Sequence, residues 1–146
     1  MSVLRNDLQV ALNDLHVALL ESADHYRYSA EFVDEPSARK LFTSIAQARD
    51  ILTKETEQAI RTSGDLPSVP DVDRKTGEQL LERLAAAFSS DQTAELINQR
   101  LAADTELEQL LQTPELAIID KSYSALRRAC WQSINTAKAQ LMRAVD

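Results

Sequence analysis

Apolar and small residues recur at steps of three and four over residues 3–33. The stripe consists of Leu4, Leu8, Ala11, Leu15, Ala18, Leu19, Ser22, Tyr26, Ser29 and Val33. This spacing places the stripe along one face of a single helix, and neither Gly nor Pro interrupts it. A helix of about thirty residues is a rod of roughly 45 Å. Because such a rod cannot bury its stripe alone, the pattern predicts partner helices that run alongside it.

Pro36, Pro114 and the stretch of residues 63–91 divide the rest of the chain. Pro36 follows the first stripe and suits the first turn of a second helix, while Thr113-Pro114 separates two further helical stripes. Residues 63–91 contain both glycines and the other two prolines, which predicts an exposed connection with a short amphipathic helix at residues 78–88. The predicted long helices are residues 3–33, 37–62, 92–112 and 115–144.

The connection over residues 63–91 is too long for a tight turn and long enough to run from one end of a helical bundle to the other. The expected order is an antiparallel hairpin, a long crossover and a second antiparallel hairpin, in one domain that covers residues 1–146. This is an all-α fold, a four-helix bundle with a short extra helix in its crossover. The residues expected in its core are Leu15, Leu19, Leu41, Ile45, Leu52, Ile97, Leu107, Leu126 and Ile134.

The chain of 146 residues carries a net charge of −7 and a single cysteine. Nucleic acid is not an expected partner, because phosphate binding requires a basic face, and neither is an anionic membrane surface. Cys130 alone can form neither an intramolecular disulfide nor a thiolate metal cluster. The start of the chain lacks the pattern of a signal peptide, and no apolar run reaches the about 18 residues that span a membrane. We therefore expect a cytoplasmic location.

The order of hairpin, crossover and hairpin resembles the ferritin-like superfamily, whose bundle joins two antiparallel helix pairs by one long connection. Local sequence is similar to a small bacterial family of ferritin-like bundles, a domain of unknown function, at Leu12-Asn13-Asp14-Leu15, at Tyr26 followed by Ala30, at Leu41-Phe42 with Ala46 and Arg49, and at Phe88-Ser89-Ser90-Asp91. The resemblance covers most of the chain and implies the fold, but a function does not follow from a fold.

Ferritin-like di-metal sites use a Glu from each of two helices and a Glu-x-x-His pair from each of the other two. This chain has no Glu-x-x-His, and its two histidines, His16 and His25, both fall on the first predicted helix. The inward positions predicted for the second helix are apolar where ligands would be expected: Ile45, Ala48, and Ile51 or Leu52. We therefore predict that the usual di-iron site is absent, and we predict no cofactor.

A degenerate site remains the alternative. His25 lies at the edge of the first stripe, one turn after Glu21, where it is a metal ligand, a proton-transfer group, or a boundary histidine bonded to a carboxylate. Asp104 and Glu55 are the other candidate ligands, and iron or another divalent metal would be the cofactor of a metal-binding, redox or stress protein. His16 falls off the stripe and is expected to be solvated.

Arg100 and Asp104 interrupt the apolar stripe of the third predicted helix. Charges are rarely buried unless they are paired, and these two are spaced to form an i,i+4 ion pair. We predict this pair at a polar centre of the bundle, joined by at least one of His25, Tyr26 and Tyr123. The alternatives are a relic of a ligand site, or a stripe that is rotated toward solvent.

Cys130 and Trp131 lie on or beside the inner face of the fourth predicted helix. A buried free cysteine is usually an inert small hydrophobe, whereas Trp131 is either core or an exposed anchor for a second subunit. No phosphate-binding loop or hydrolase triad is present. The sequence therefore favours a non-catalytic bundle that acts by self-association or by binding another protein.

Overall fold

The computed structural model describes residues 4–68 and 92–145. These residues form α1 (Asp7–Phe32), α2 (Pro36–Thr62), α3 (Gln92–Leu111), α4 (Pro114–Ala117) and α5 (Asp120–Val145). They contain no strand, so the predicted all-α class is confirmed. The short helix predicted at residues 78–88 and most of the predicted crossover lie outside the described residues. None of the described helices is long and apolar enough to cross a membrane.

Local sequence explains where the first two helices begin and end. The Asn6 side chain accepts a hydrogen bond from the Gln9 backbone N–H, and the Gln9 side-chain oxygen accepts one from the Asn6 backbone N–H. This pair of bonds is a capping box. Pro36 occupies the first turn of α2, where its missing N–H costs nothing. Gly64 follows the end of α2 with φ +88°, a left-handed conformation that suits glycine.

Two side-chain contacts fix the directions of the helices. Gln9 Nε2 donates to the Ser63 carbonyl at 2.9 Å, so α2 ends beside the beginning of α1. Gln92 Nε2 donates to the Phe32 carbonyl at 2.8 Å, so α3 begins beside the end of α1. The connection between α2 and α3 therefore has to join opposite ends of the bundle.

The four long helices pack in a ring, in which α1 contacts α2, α2 contacts α5, α5 contacts α3, and α3 contacts α1. The contact between α1 and α3 is the least extensive of these. The ring encloses two apolar clusters. One cluster includes Leu15, Leu19, Leu52, Leu107 and Ile134, and the other includes Tyr26, Phe42, Ile45, Ile97 and Leu141.

All of the predicted core residues are buried except Leu41, which is partly buried. The neighbouring Phe42 is fully buried instead, because the inward face of α2 is rotated relative to the predicted stripe. The same rotation leaves Ala48 half-buried and Ile51 59% exposed. Of the two predicted alternatives Ile51 and Leu52, the inward residue is therefore Leu52. Leu41 and Ala48 are only partly buried, and Arg49 occupies the inward position between Ile45 and Leu52.

Two isoleucines of α2 test this assignment of the inward face. Ile45 is 4% exposed and Ile51 is 59% exposed. We expect Ile45→Ala to lower the free energy of unfolding by about 2–5 kcal/mol, because it leaves a cavity in the core. Ile51→Ala removes the same atoms from the surface and should cost within about 0.5 kcal/mol. Equal losses in chemical denaturation would show that the assigned face is incorrect.

The fourth predicted helix, residues 115–144, is interrupted. The chain forms the short α4, turns at residues 118–119 and restarts as α5, where Tyr123 has non-helical angles of φ −137° and ψ 47°. The turn allows Leu116 and Ile119 to be buried at the end of the core. Arg127 Nε fastens the turn by donating to the Leu111 carbonyl at 3.0 Å.

Candidate functional site

A layer of polar side chains separates the two apolar clusters near the middle of the bundle. This polar layer consists of Ser22 and Tyr26 from α1, Arg49 from α2, and Arg100 and Asp104 from α3. Arg49 is 0% exposed and Asp104 is 1% exposed. Charged groups are costly to bury without partners, so the geometry of this layer decides whether it is structural or open to a ligand.

Asp104 is held by two side chains from two other helices. Arg49 Nη1 donates to Asp104 Oδ1 at 3.1 Å and Arg49 Nη2 donates to Oδ2 at 2.8 Å. The Tyr26 hydroxyl also donates to Oδ2, at 2.8 Å, and a further donor bond runs from Arg49 Nη1 to Ser22 Oγ at 2.9 Å. This two-pronged arrangement is the strongest form of arginine–carboxylate pair. It links α1, α2 and α3 through one carboxylate.

Tyr26 also brings the two guanidinium groups close to an aromatic ring. The Cζ atom of Arg49 lies 5.4 Å from the ring centroid and that of Arg100 lies 5.6 Å from it. Both distances are within the range of cation–π attraction. Burial, followed by the neighbouring Asp104 carboxylate, raises the pKa of Tyr26 well above its ordinary value. The hydroxyl therefore stays protonated and remains a donor to Asp104.

The partner of Asp104 differs from the expected one. The i,i+4 spacing predicts a pair with Arg100, but the ion pair in the structure is made by Arg49. Arg100 is buried beside the Tyr26 ring in the same layer. Tyr123 lies elsewhere, with its hydroxyl donating to the Ala59 carbonyl at 3.4 Å.

Arg49 lies in this layer but is not among the site residues predicted from the sequence. Phe42, Ile45, Arg49 and Leu52 follow one another at steps of three and four, so Arg49 occupies an inward position on α2. An arginine at such a position, like Arg100 on α3, is the signal that could have found it. The predicted stripe passed through Ala48 instead and left Arg49 outside it.

A cleft of about 220 Å³ leads from the surface to the polar layer. It lies between α1 and α3, the pair of neighbouring helices with the least contact, and Glu21, Ser22, His25, Arg100 and Asp104 are among the residues that line it. Three of the predicted metal candidates, Glu21, His25 and Asp104, thus share one cleft. Glu55 lies apart from them, in a groove with Tyr123 and Leu126.

The side chains of the polar layer do not fit the di-metal site that the ferritin-like resemblance implies. Such a site requires several carboxylates to face two hard cations. Here both Asp104 oxygens accept from Arg49, and a second guanidinium, that of Arg100, lies in the same layer. Across residues 4–68 and 92–145, no group of three or more His, Cys, Asp or Glu could hold a metal ion.

His16 is buried, so the prediction that it is solvated is wrong. Its Nδ1 lies 3.1 Å from the Ser68 carbonyl. Residues 65–68 lie against α1 because the Asn13 side chain bonds to both ends of this segment. Asn13 Nδ2 donates to Asp65 Oδ2 at 2.9 Å, and Asn13 Oδ1 accepts from the Ser68 N–H at 2.7 Å. The contact with residues 65–68 thus shields the His16 ring from solvent, although His16 lies outside the apolar stripe of α1.

Cys130 is fully buried in the first apolar cluster. Burial raises the pKa of its thiol to about 12, and the neighbouring Glu55 adds to the rise while Arg49 opposes it. The thiolate is the reactive form of cysteine. The folded protein should therefore keep this thiol protonated and unreactive at neutral pH.

We expect Cys130 to react slowly with a disulfide reagent in the native protein at about pH 8 and rapidly after denaturation. Because its folded pKa is raised, the stabilising contribution of the neutral thiol is complete below the unfolded pKa of about 8.5. It is lost as the pH rises toward about 12. Cys130→Ser is the control for the reagent. Fast labelling of the native protein would show that the thiol is accessible or ionised.

A second opening, of about 520 Å³, lies at the surface between the end of α3 and the first turns of α5. Trp131 lines it and is half-buried, with the indole packed against the first apolar cluster. Arg127, Arg128 and Gln112 also line it. Tyr28, the other aromatic residue considered for an interface, is exposed on α1.

Comparisons with models of protein families, with curated proteins and with solved structures find no match to this chain. The interpretation of the site therefore depends on its own geometry.

Proposed function

We propose that this protein is a non-catalytic, ferritin-like four-helix bundle that acts through its surface, by self-association or by binding another protein. The observation that carries the proposal is the Arg49–Asp104 pair. It is buried inside the bundle, and the bundle core is where ferritin-like proteins hold their metal ions. The interior is thereby used to hold helices together.

The ferritin-like arrangement is supported by the two ends that the connection after α2 has to join. Gln9 places the end of α2 at one end of the bundle, and Gln92 places the beginning of α3 at the other. A connection of this kind between two antiparallel helix pairs is typical of that superfamily. The ring of neighbouring helices also agrees with this topology.

The non-catalytic assignment is supported by the hydrogen bonds that Asp104 already accepts from Arg49 and Tyr26. Asp104 would have to give up Arg49 before it could bind a cation or a substrate. Breaking a buried pair of this kind leaves an uncompensated charge, which is strongly unfavourable. Surface action is supported by the half-buried Trp131 beside a large open groove, since Trp is enriched at protein interfaces.

Metal analysis of protein purified without chelator tests the proposal. Cells should be supplied with iron, manganese or zinc, and a di-iron carboxylate protein should be purified in parallel as the positive control. We expect far less than one metal ion per chain, because the Arg49 guanidinium already fills the place of a cation at Asp104. Stoichiometric iron with ferroxidase activity would overturn the proposal and favour the metal-binding alternative.

A further inference from the structure

The groove beside Trp131 is a second cluster of charged, polar and aromatic side chains, separate from the polar layer. We call it the Trp131 groove. Its lining residues are Leu111, Gln112, Asp120, Ser124, Arg127, Arg128 and Trp131. It lies at the surface, with the end of α3 on one side and the first turns of α5 on the other. Its volume of about 520 Å³ is in the range of sites for small ligands and short peptide segments.

Two of the charged residues in the groove satisfy each other. Arg127 Nη1 donates to Asp120 Oδ2 at 2.6 Å, and Arg127 Nε donates to the Leu111 carbonyl at 3.0 Å. Arg127 therefore neutralises both the carboxylate and the negative end of α3. Among residues 4–68 and 92–145, no partner compensates the charge of the other arginine in the groove, Arg128.

Arg128 is exposed and forms no hydrogen bond or ion pair with the described part of the chain. Other unused donors line the same groove. They are the Trp131 indole N–H, the Gln112 amide and the Ser124 hydroxyl, none of which has a side-chain hydrogen bond within residues 4–68 and 92–145. The Trp131 ring and Leu111 supply an apolar wall beside these donors.

We propose that the Trp131 groove binds a short acidic segment of another protein, in which a carboxylate stands next to an apolar side chain. The carboxylate would pair with the Arg128 guanidinium, which is suited to two-pronged carboxylate binding. The apolar side chain would pack on Trp131 and Leu111. This inference deepens the proposed surface function and rests on it.

Charge favours a foreign partner over a second copy of the chain. The whole chain carries a net charge of −7, so two copies repel each other at long range. A nucleic acid would meet the same overall repulsion, because phosphate binding requires a basic protein face and this chain is acidic. A short acidic segment carries less charge than a whole copy, and it meets the Arg128 guanidinium directly, which has no counter-charge in the described part of the chain.

Fluorescence of Trp131 provides the test, because this is the only tryptophan in the chain. The probe is an acetylated and amidated peptide of four alternating glutamate and leucine residues. We expect it to produce a saturable shift in the emission of the full-length protein. Arg128→Glu should weaken the apparent affinity about tenfold or more, because it replaces the charged donor by a like charge. Arg143→Glu, an exposed site near the end of α5, makes the same charge change away from the groove and should bind like the parent.

Each of the following results would overturn the inference. The first is an acidic peptide that shows no saturation up to about 10 mM, a concentration at which a site with a Kd of about 1 mM would be about 90% occupied. The second is a glutamine or lysine version of the peptide that binds equally well, or an Arg143→Glu variant that loses as much affinity as Arg128→Glu. The third is an emission shift that occurs when the protein concentration is raised without peptide, which would indicate that a second copy occupies the groove.

A melting curve of Arg128→Glu shows whether the variant is folded when it is tested. The metal analysis separates the two proposals. If the peptide fails while the protein still contains no metal, the acidic-segment inference falls and the non-catalytic interior stands.

Discussion

Replacing Asp104 by Ala is expected to lower the free energy of unfolding by about 3–5 kcal/mol. The carboxylate is the acceptor for Arg49 and for Tyr26, and both of these residues are fully buried. Removing it leaves a buried guanidinium without its counter-charge and a buried hydroxyl without its acceptor, and each of these is costly. Urea unfolding followed by circular dichroism measures the loss.

Asp50→Ala is the matched control for this variant. Asp50 pairs with Arg27 at 2.7 Å, as close a contact as the buried pair makes, but the two side chains are 46% and 42% exposed. An exposed pair contributes only about 0–1 kcal/mol, because water and salt screen it. If Asp104→Ala and Asp50→Ala lower the free energy of unfolding by the same small amount, the polar layer is hydrated and does not stabilise the fold.

Replacing Arg49 by Met is expected to cost a similar amount, about 3–5 kcal/mol, because it leaves the Asp104 carboxylate buried without its cation. Met has the length to follow the aliphatic part of the Arg49 side chain, so the cavity should be small. The same change made together with Asp104→Leu removes both charges at once. The double variant should be more stable than either single variant, since an apolar pair of similar size has no charge to solvate.

This comparison is a double-mutant cycle, and unfolding in urea supplies all four free energies. A coupling of about 2 kcal/mol or more between the two positions is expected for residues in direct contact within one network. Tyr26→Phe can be added to the double variant, because the Tyr26 hydroxyl otherwise loses the acceptor that it has in the parent. Losses that simply add would mean that Arg49 and Asp104 do not act as a pair.

The all-α class and the core could be predicted because both follow from local pattern. Pro36 and Pro114 mark helix starts that the structure also has. The predicted stripe residues within α1 and α3 are buried or partly buried, whereas Leu4, which precedes α1, is 86% exposed. The face of α2 could not be fixed in the same way. Leu41 and Phe42 are both apolar, and only packing against the other helices decides which of the two is buried.

The same ambiguity explains the part of the polar layer that was missed. Arg100 and Asp104 were recognised because they interrupt an apolar stripe, whereas Arg49 adjoins Ala48, which offered a second and apolar stripe one residue away. The partner of Asp104 is 55 residues distant in sequence, so no local spacing indicates it. His16 was missed for a related reason, because its cover comes from Ser68, 52 residues further along.

The kink at Tyr123 has no equivalent signal. Residues 115–144 show one continuous helical pattern, and neither Gly nor Pro stands at the break after Ala117. The interruption follows from the burial of Leu116 and Ile119 at the end of the core and from the bond of Arg127 to Leu111. Both are tertiary contacts that a single stripe does not contain.

We propose that the buried Arg49–Asp104 ion pair closes the middle of this bundle to metal ions. Calorimetric melting of the parent protein with and without about 1 mM manganese(II), and with iron(II) in the absence of oxygen, tests it directly. A site with an affinity of about 10 μM would stabilise the folded state by about 2.7 kcal/mol under these conditions and raise Tm by several degrees. We expect an unchanged Tm with either metal. A rise of several degrees that is abolished by Asp104→Asn would contradict it.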